Sequence, residues 1–463
     1  MLGVRDRHPD PYRDRRRHPH VITVIGLDGG RLGEQATAAL QTATCVAGAR
    51  RHLDAVDVPE SAHRIPMGAL DPVLDQVMAW EGPVAVLASG DPGFFGIVRA
   101  LRARGARPRV VPAVSSVATA FARVGLPWDD AVILSAHGRA ASGRSARRAL
   151  AAALAHPKAA ILTAPGSAEP GAFIPELLRA GRDVYVAQRL GTDDEEVARV
   201  EQEGDAGRAW AHPNVVLAVE PRHAVASAMT WMPGHHGAPD GWALPEAEFA
   251  HRESMITKAE VRALALAHLA PRPGTVVWDV GAGSGSVAVE CARFGAYAVA
   301  FEKNPDDCAR IRRNARAHGV RVEVCEGRAP ASLADRAERP APDAIFFGGG
   351  DDAVIGEALR RHHPERVVAA LASVDRVRPV HDLLAASGYG VSGTQIQASR
   401  LAPLPNGSLR FAAVNPVTLL WGLRPDAGDA EDGRPAHGTI GRSAGPEGTT
   451  DHPGQQQERE GTT

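Results

Sequence analysis

Val276-Val-Trp-Asp-Val-Gly-Ala-Gly-Ser-Gly-Ser-Val-Ala-Val-Glu290 passes from an apolar run through three glycines into a helical pattern. It reads as a buried strand, a tight loop and a helix N-terminus. Gly281, Gly283 and Gly285 allow a sharp turn. With Ala282 and Ser284 between them, they offer main-chain N–H groups where the helix carries partial positive charge, which favours an anion. The spacing is G-x-G-x-G. A dinucleotide fingerprint would place its third glycine at 286, which is Ser286. The reading therefore moves from a pyrophosphate to a smaller anion, such as the methionine carboxylate of S-adenosylmethionine (SAM). An acid is then expected about 20 positions on, at the end of the next strand, to accept ribose hydroxyls. Glu302 closes Tyr297-Ala-Val-Ala-Phe-Glu302 in that place. A ligand-free αβ turn also uses glycine, so strand, loop, helix and acid carry the reading only in combination.

The chain of 463 residues is too long for one ordinary core, and two large domains would suffice. Hydrophobic residues make up 44%, no apolar run has the length of a membrane span, and the formal net charge is only −2. Of the 52 basic residues all but Lys158, Lys258 and Lys303 are arginine, a coding bias rather than a nucleic-acid signature. Cys45, Cys291, Cys308 and Cys325 lack disulfide or metal-ligand spacing, which suits packing residues in a reducing cytoplasm. His235-His236 has no third ligand nearby, so no metal site is expected. Residues 1–20 lack the apolar core of a signal peptide and read as a disordered tail, as do residues 425–463 with almost no large apolar side chains.

A second strand–glycine–helix unit opens the chain: a strand at 21–25, the turn Gly26-Leu-Asp-Gly-Gly30, and a helix over about 34–42. The strand at 84–88 ends in Ser89-Gly-Asp-Pro-Gly93, where Gly90 frees the backbone, Pro92 fixes it, and Asp91 either caps the turn or faces a ligand. Val110-Val-Pro112 leads into Ala113-Val-Ser-Ser116, and the strand at 131–135 into Ala136-His-Gly-Arg139. Proline and glycine between 221 and 253 mark a junction. Beyond it, Thr257 reads as the N-cap of a helix with Glu260 as its capping-box partner. Strands at 321–325, 344–347 and 366–371 and a final pair near 391–397 and 416–421 continue an αβ alternation, which predicts a parallel, doubly wound sheet with its ligand at the carboxyl ends.

Gly26 to Gly30, Ser89-Gly-Asp-Pro92, Pro112-Ala-Val-Ser-Ser116 and Ser135-Ala-His-Gly-Arg139, in this order, resemble the tetrapyrrole methylases. The resemblance implies two αβ subdomains, about 21–112 and 113–222, with SAM in the cleft between them, held largely by main chain, and a homo-oligomer. Gly26, Gly90, Asp91, Ser115 and Ser116 are its implied cofactor residues, and Asp91 and His137 its implied catalytic candidates. Asp28 and Gly29 depart from the commoner G-x-G-P-G turn. After a linker at 223–253, residues 254–424 resemble a class I, Rossmann-like methyltransferase. Thr257-Lys258, the loop 278–286, Glu326-Gly-Arg-Ala-Pro330 and Phe347-Gly-Gly-Gly350 are similar to the decarboxylating methyltransferases of the corrin pathway. This implies cofactor contacts from Thr257, Gly281 to Gly285, Glu302, Glu326, Gly327 and Ala329, substrate contacts from Arg139, Arg328, Gly348 and Gly349, and a catalytic candidate in Lys258. The two resemblances together imply methylation of a corrin precursor at C5 and C15, with loss of carbon dioxide from an acetate, in cobalamin biosynthesis. Two SAM sites per chain and no metal are implied.

Methyl transfer from a sulfonium to an electron-rich carbon rests on positioning and exclusion of water, so glycine loops suffice as the strongest motifs. A polycarboxylate substrate calls for cations, and Arg139, Arg252, Lys258 and Arg328 stand beside the motif loops. An RNA methyltransferase would share these folds, but Phe347-Gly-Gly-Gly350 replaces the Asn/Asp-Pro-Pro-aromatic motif of amino-group methylators, and no aromatic and basic interleaving is present. A fusion with one inactive half, or a non-enzymatic scaffold, is the other alternative.

Overall fold

Runs of Val, Ile, Ala and Leu bounded by glycine or proline form three main sheets in the computed structural model, which describes residues 21–29, 32–136, 143–223, 239, 241–253, 255–333 and 339–425. The first sheet takes β1 (Ile22–Leu27), β2 (Cys45–Gly48), β3 (His63–Pro66), β4 (Val84–Ser89) and β5 (Arg109–Val111) in the order β3-β2-β4-β1-β5. All its pairings are parallel. Helices α1 (Glu34–Gln41), α2 (Arg50–Ala55), α3 (Leu70–Ala79) and α4 (Ile97–Ala103) make its crossovers. Because parallel strands need crossovers that cover both faces, β1 and β4 are buried almost throughout.

Helix α5 (Ser116–Val124) leads into the second sheet: β6 (Val132–Ser135), β7 (Lys158–Leu162), β8 (Asp183–Gln188), β9 (Glu196–Val200) and β10 (Asn214–Val219), in the order β6-β7-β10-β8-β9. Only β6 and β7 pair in parallel; the remaining pairs are antiparallel. Helices α6 (Gly143–Ala155) and α7 (Ile174–Arg179) lie in this part.

In the second half α8 (Ala259–Leu269), α9 (Ser286–Arg293), α10 (Pro305–Ala317), α11 (Asp352–His362) and α12 (Val377–Ala386) surround a seven-stranded sheet. Its strands are β11 (Val276–Val280), β12 (Tyr297–Glu302), β13 (Val322–Glu326), β14 (Ala344–Phe347), β15 (Arg366–Leu371), β16 (Gly390–Ile396) and β19 (Val417–Leu423), in the order β13-β12-β11-β14-β15-β19-β16. The first five are parallel and β19 is antiparallel to both neighbours, the Rossmann-like pattern expected. A hairpin, β17 (Ser399–Pro403) and β18 (Leu409–Ala413), precedes β19 and was not foreseen; β2, β3 and β9 were missed as well. These strands are short or largely exposed, so they lack the long apolar run by which strands were read.

The two halves share a core. Ala149, Ala153 and Leu154 of α6 join Trp278, Val299 and Phe301 of the third sheet in one buried cluster. All four cysteines are buried and free, and burial pushes Cys45 up to about 11 and Cys325 up to about 12, so they pack as inert thiols. Among the described residues no helix is long and apolar enough to cross a membrane. His137, Arg139, Gly30 and both expected tails lie outside the described residues.

Candidate functional site

At the carboxyl edge of the third sheet the chain leaves β11 and turns at once. Gly281, Gly283 and Gly285 have φ of 74°, 54° and 73°, a region that side chains disfavour. A Cβ at 281 would lie 2.9 Å from the backbone of Gly349, and one at 285 would lie 2.8 Å from Ile311. These two glycines are packing requirements. A Cβ on Gly283 would meet nothing within 4 Å, so the space beside this residue is open near the N-terminal end of α9. The Gly281 and Ala282 N–H groups donate to Phe301 O at 3.0 and 3.2 Å, and that of Gly285 to Ala282 O at 2.8 Å, so the loop's own hydrogen bonds fix its shape.

Glu302 ends β12 beside this loop and is 8% exposed. Its Oε2 accepts the Gly283 N–H at 2.9 Å, and its Oε1 accepts those of Lys303 at 2.9 Å and Asn304 at 3.0 Å. An ionised carboxylate has about four acceptor positions, so Oε2 keeps room for a hydroxyl. Glu302 thus anchors the loop and offers the acceptor a ribose would need. The next strand end joins it, since the Gly327 N–H donates to the Glu302 carbonyl at 2.9 Å. Glu326 and Arg328 are exposed there, with Ala329 half-buried. On the other side Gly348 N donates to Val280 O at 3.0 Å, which brings Gly348 and Gly349 against Gly281. The sequence-derived residues from four strand ends therefore meet along one edge.

Asp279 was not foreseen. It lies 1% exposed inside β11; its Oδ2 accepts the Ala288 N–H of α9 at 3.1 Å, and its Oδ1 has no hydrogen-bond partner. Burial, aided by the charge of nearby Glu302 and opposed by the Ala288 N–H, pushes this carboxyl up to about 7. The signal was an acid interrupting Val-Val-Trp-Asp-Val.

The segment before α8 is tied to the same loop by polar side chains. The Asn314 amide donates to Ser284 O and to Ala250 O, each at 2.9 Å. Fully buried Arg262 donates to fully buried Glu290 at 2.6 Å and to Thr257 O at 2.6 Å, while Glu290 accepts the N–H groups of Ala243 and Leu244. The expected cap of α8 is corrected: Lys258, half-buried, is its N-cap, and Glu246 Oε1 takes the Ala259 N–H at 3.0 Å. Glu260 turns instead to Arg400, at 2.8 and 2.6 Å, because a charge-assisted pair outweighs a neutral capping bond.

In the first half the ends of β1, β4 and β5 converge. A Cβ on Gly26 would lie 2.4 Å from Gly90 O and 2.7 Å from Ala113 N, and one on Gly90 would lie 3.2 Å from Ser116 N. The expected cofactor residues Gly26, Gly90, Ser115 and Ser116 are therefore neighbours, and the two glycines serve backbone approach between them. Asp91 Oδ1 accepts Gly93 N at 2.8 Å and Ser115 Oγ accepts Ala118 N at 3.2 Å, so both side chains make local caps. Gly29 packs against Gly191, which closes the turn of the first subdomain onto the second with main chain. Beside this mouth lies a polar cluster the sequence did not disclose. Arg51 donates to Ser89 Oγ at 2.9 Å, and Ser89 Oγ lies 3.0 Å from His52 Nε2. Burial and then the Arg51 charge push the His52 imidazole down to about 4, so it is neutral near pH 7. In a chain this rich in arginine, Arg51 carried no distinguishing signal. Among the described residues no three His, Cys, Asp or Glu side chains gather as metal ligands.

Residues 25–203 match the family described as Tetrapyrrole (Corrin/Porphyrin) Methylases, and residues 247–423 the Precorrin methyltransferase domain. The chain is 35% identical over 415 residues, 86% of this chain and 95% of the other, to a Sinorhizobium protein named precorrin-6Y C(5,15)-methyltransferase [decarboxylating]. It is also 35% identical over 201 residues, 42% of this chain and 98% of the other, to a Pyrobaculum calidifontis protein named probable cobalt-precorrin-6B C(15)-methyltransferase (decarboxylating). A crystal structure of the C-terminal domain of precorrin-6Y C5,15-methyltransferase from Rhodobacter capsulatus is 35% identical, covering 39% of this chain and 97% of its own at a TM-score of 0.36. With both halves matched in one continuous alignment, the chain belongs to the family of decarboxylating precorrin-6Y C5,15-methyltransferases.

Proposed function

We propose that this chain methylates a precorrin at C5 and C15 with SAM and removes carbon dioxide from one acetate side chain, the first half acting at C5 and the second at C15 and in decarboxylation. The supporting observation is the alignment that runs through both halves to a relative bearing that name. When bound, SAM supplies an electrophilic methyl group at each of two sites per chain. The protein's part is to hold and exclude. In the second half, the absence of a side chain at Gly283 leaves open space beside the loop, and Glu302 offers a further acceptor position on Oε2. In the first half, Gly26, Gly90 and Gly29 let main chain approach main chain closely at the strand ends, which gives SAM a wall built of backbone.

The substrate carries acetates and propionates on its rim. Arg328, exposed at the carboxyl edge of the third sheet, and Arg51, beside the first-half mouth, are placed to pair with such carboxylates. Decarboxylation requires one acetate to lose its hydration, with the electron pair passing into the conjugated macrocycle and a proton then closing the new methyl group. The macrocycle itself is the electron sink, so this reading needs no metal. A homo-oligomer in the cytoplasm is part of the same proposal.

Mass spectrometry of the product from a pool of corrin intermediates, with chelator present, tests this. Product two methyl groups heavier and one carbon dioxide lighter than substrate supports the reading; a product with one methyl group, or arrest by chelator, refutes it. Calorimetry with SAM separates two working sites from a fusion with one inactive half.

A further inference from the structure

The loop after β4, Asp91-Pro-Gly-Phe-Phe-Gly96, displays an aromatic ring that the packing of the fold does not require. The loop is closed on itself. Asp91 Oδ1 accepts Gly93 N–H at 2.8 Å, Asp91 O accepts Phe94 N–H at 3.1 Å, and a Cβ on Gly96 would lie 2.4 Å from Pro92 O. Phe94 is partly buried against the cluster of Val117, Phe121 and Leu217, which ties the loop to the second subdomain. Phe95 does the opposite. It is 46% exposed and holds φ of 51°, the left-handed region that a bulky side chain disfavours. Its ring stands edge-on to Phe94, with centroids 4.9 Å apart and planes at 73°, which fixes it in place. Backbone strain and an apolar ring in water both cost folding free energy, and strain of this kind persists chiefly at ligand sites.

The loop after β5 adds a second apolar side chain at the same mouth. Val114 is 55% exposed, its O lies 3.4 Å from the place of a Cβ on Gly90, and its N–H donates to Asp28 Oδ2 at 3.4 Å. Main chain holds this residue, so its side chain is left to the surface. Phe95 and Val114 thus stand on the two loops that meet at Gly90. Arg51, bonded to Ser89 Oγ at 2.9 Å immediately before Gly90, adds a cation beside them. Apolar surface bordered by a cation is complementary to a flat conjugated ring with carboxylates on its rim.

We propose that Phe95 and Val114 form the platform on which one face of the precorrin ring rests during C5 methylation; this rests on the function proposed above. An in-line displacement requires the attacking carbon to be held against the methyl donor, and a fixed aromatic ring removes tumbling of the flat substrate. The contact is the same in the ground state and the transition state, so its loss raises KM rather than lowering kcat.

The test is initial rates of C5 methylation by the full chain acting on a pool of corrin intermediates, with SAM carrying an isotope-labelled methyl group whose NMR signal separates C5 from C15. Phe95→Asn removes the ring and keeps a residue that tolerates left-handed φ. Its KM for the corrin should rise about tenfold or more, with kcat changed less than about threefold and the first-half affinity for SAM unchanged in calorimetry. Phe95→Tyr should retain the wild-type KM. Val114→Ser keeps the main-chain contacts and should raise KM by a smaller factor, whereas Val21→Ala, exposed just before β1 at the amino ends of the strands, should not change it. The Tm of Phe95→Asn without ligand should stay within about 3 °C of wild type, because relieved strain offsets the lost edge contact. An unchanged KM in Phe95→Asn overturns the platform, as does a larger fall in Tm, which makes the ring structural. Loss of first-half SAM binding would make it a support for adenine, and loss of a dimer in sedimentation an interface between copies; either result also overturns it. A wild type that forms no C5-methyl product refutes the proposed function and the platform with it, whereas an active wild type with an unaltered variant refutes the platform alone.

Discussion

Asp279→Asn isolates the buried carboxyl beneath the glycine loop. In the folded chain burial holds this carboxyl at a pKa of about 7, against 3.8 for a free aspartate side chain. The native state therefore binds more protons than the unfolded state between those values, and Asp279 destabilises the fold progressively as pH rises through that window. At about 1.36 kcal/mol per unit, the penalty is about 2.3 kcal/mol at about pH 5.5 and about 4.3 kcal/mol at about pH 8. Asn cannot ionise. Its amide loses one position in hydrogen bonding, because Oδ1 of Asp279 has no partner to accept a new N–H, but that cost does not vary with pH. Relative to wild type, the variant should thus gain about 2 kcal/mol of stability between about pH 5.5 and about pH 8. His52, pushed down to about 4, titrates in the opposite sense, its stability contribution being lost as pH falls, but it is present in both proteins and cancels in the difference. Urea unfolding of wild type and variant at both pH values, followed by tryptophan fluorescence, reads the difference. A gap that stays constant across the window would refute a raised Asp279 pKa.

Glu302→Gln puts an amide where one or more of three N–H groups now meet a carboxylate, so SAM affinity of the second half should fall by about 1–3 kcal/mol in calorimetry while the first-half site is unchanged. Gly283→Arg places a side chain on a residue with φ of 54° and fills the accessible face of the loop, so the product by mass should lack the C15 methyl group while C5 methylation persists. Arg51→Gln removes the cation beside the first-half mouth and should raise KM for the corrin substrate with little change in SAM affinity, as read from initial rates. A second-half fragment beginning at 241 should be more stable to urea than one beginning at 255, by several kcal/mol on the order of two to three charge-assisted bonds, because Glu290 then keeps the Ala243 and Leu244 N–H groups; equal midpoints would contradict this.

The glycine spacing, the acid at the end of the next strand and the αβ alternation are local patterns, set by the backbone geometry of a few consecutive residues. Gly281, Gly283, Gly285 and Glu302 were legible for that reason, as were the Rossmann-like order of elements and the first-half turns at Gly26, Gly90 and Ser115. Local rules also misled, since Thr257 with Glu260 makes a good capping box until Arg400, 140 positions away from Glu260, supplies a stronger partner. Arg262 and Glu290, Asn314 between Ala250 and Ser284, and Arg147 against Asp343, 196 positions apart, are brought together only by packing. Asp279 is similar: its residue type was visible, but its raised pKa comes from complete burial beside Glu302, which depends on the assembled sheet. The sequence by itself determined most of the segments that become strands and helices and where the glycine loop lies, because those follow from periodicity and glycine geometry. The tertiary structure decided which charges meet and that α6 of the first half packs on the second, because such contacts depend on distances that no local pattern encodes.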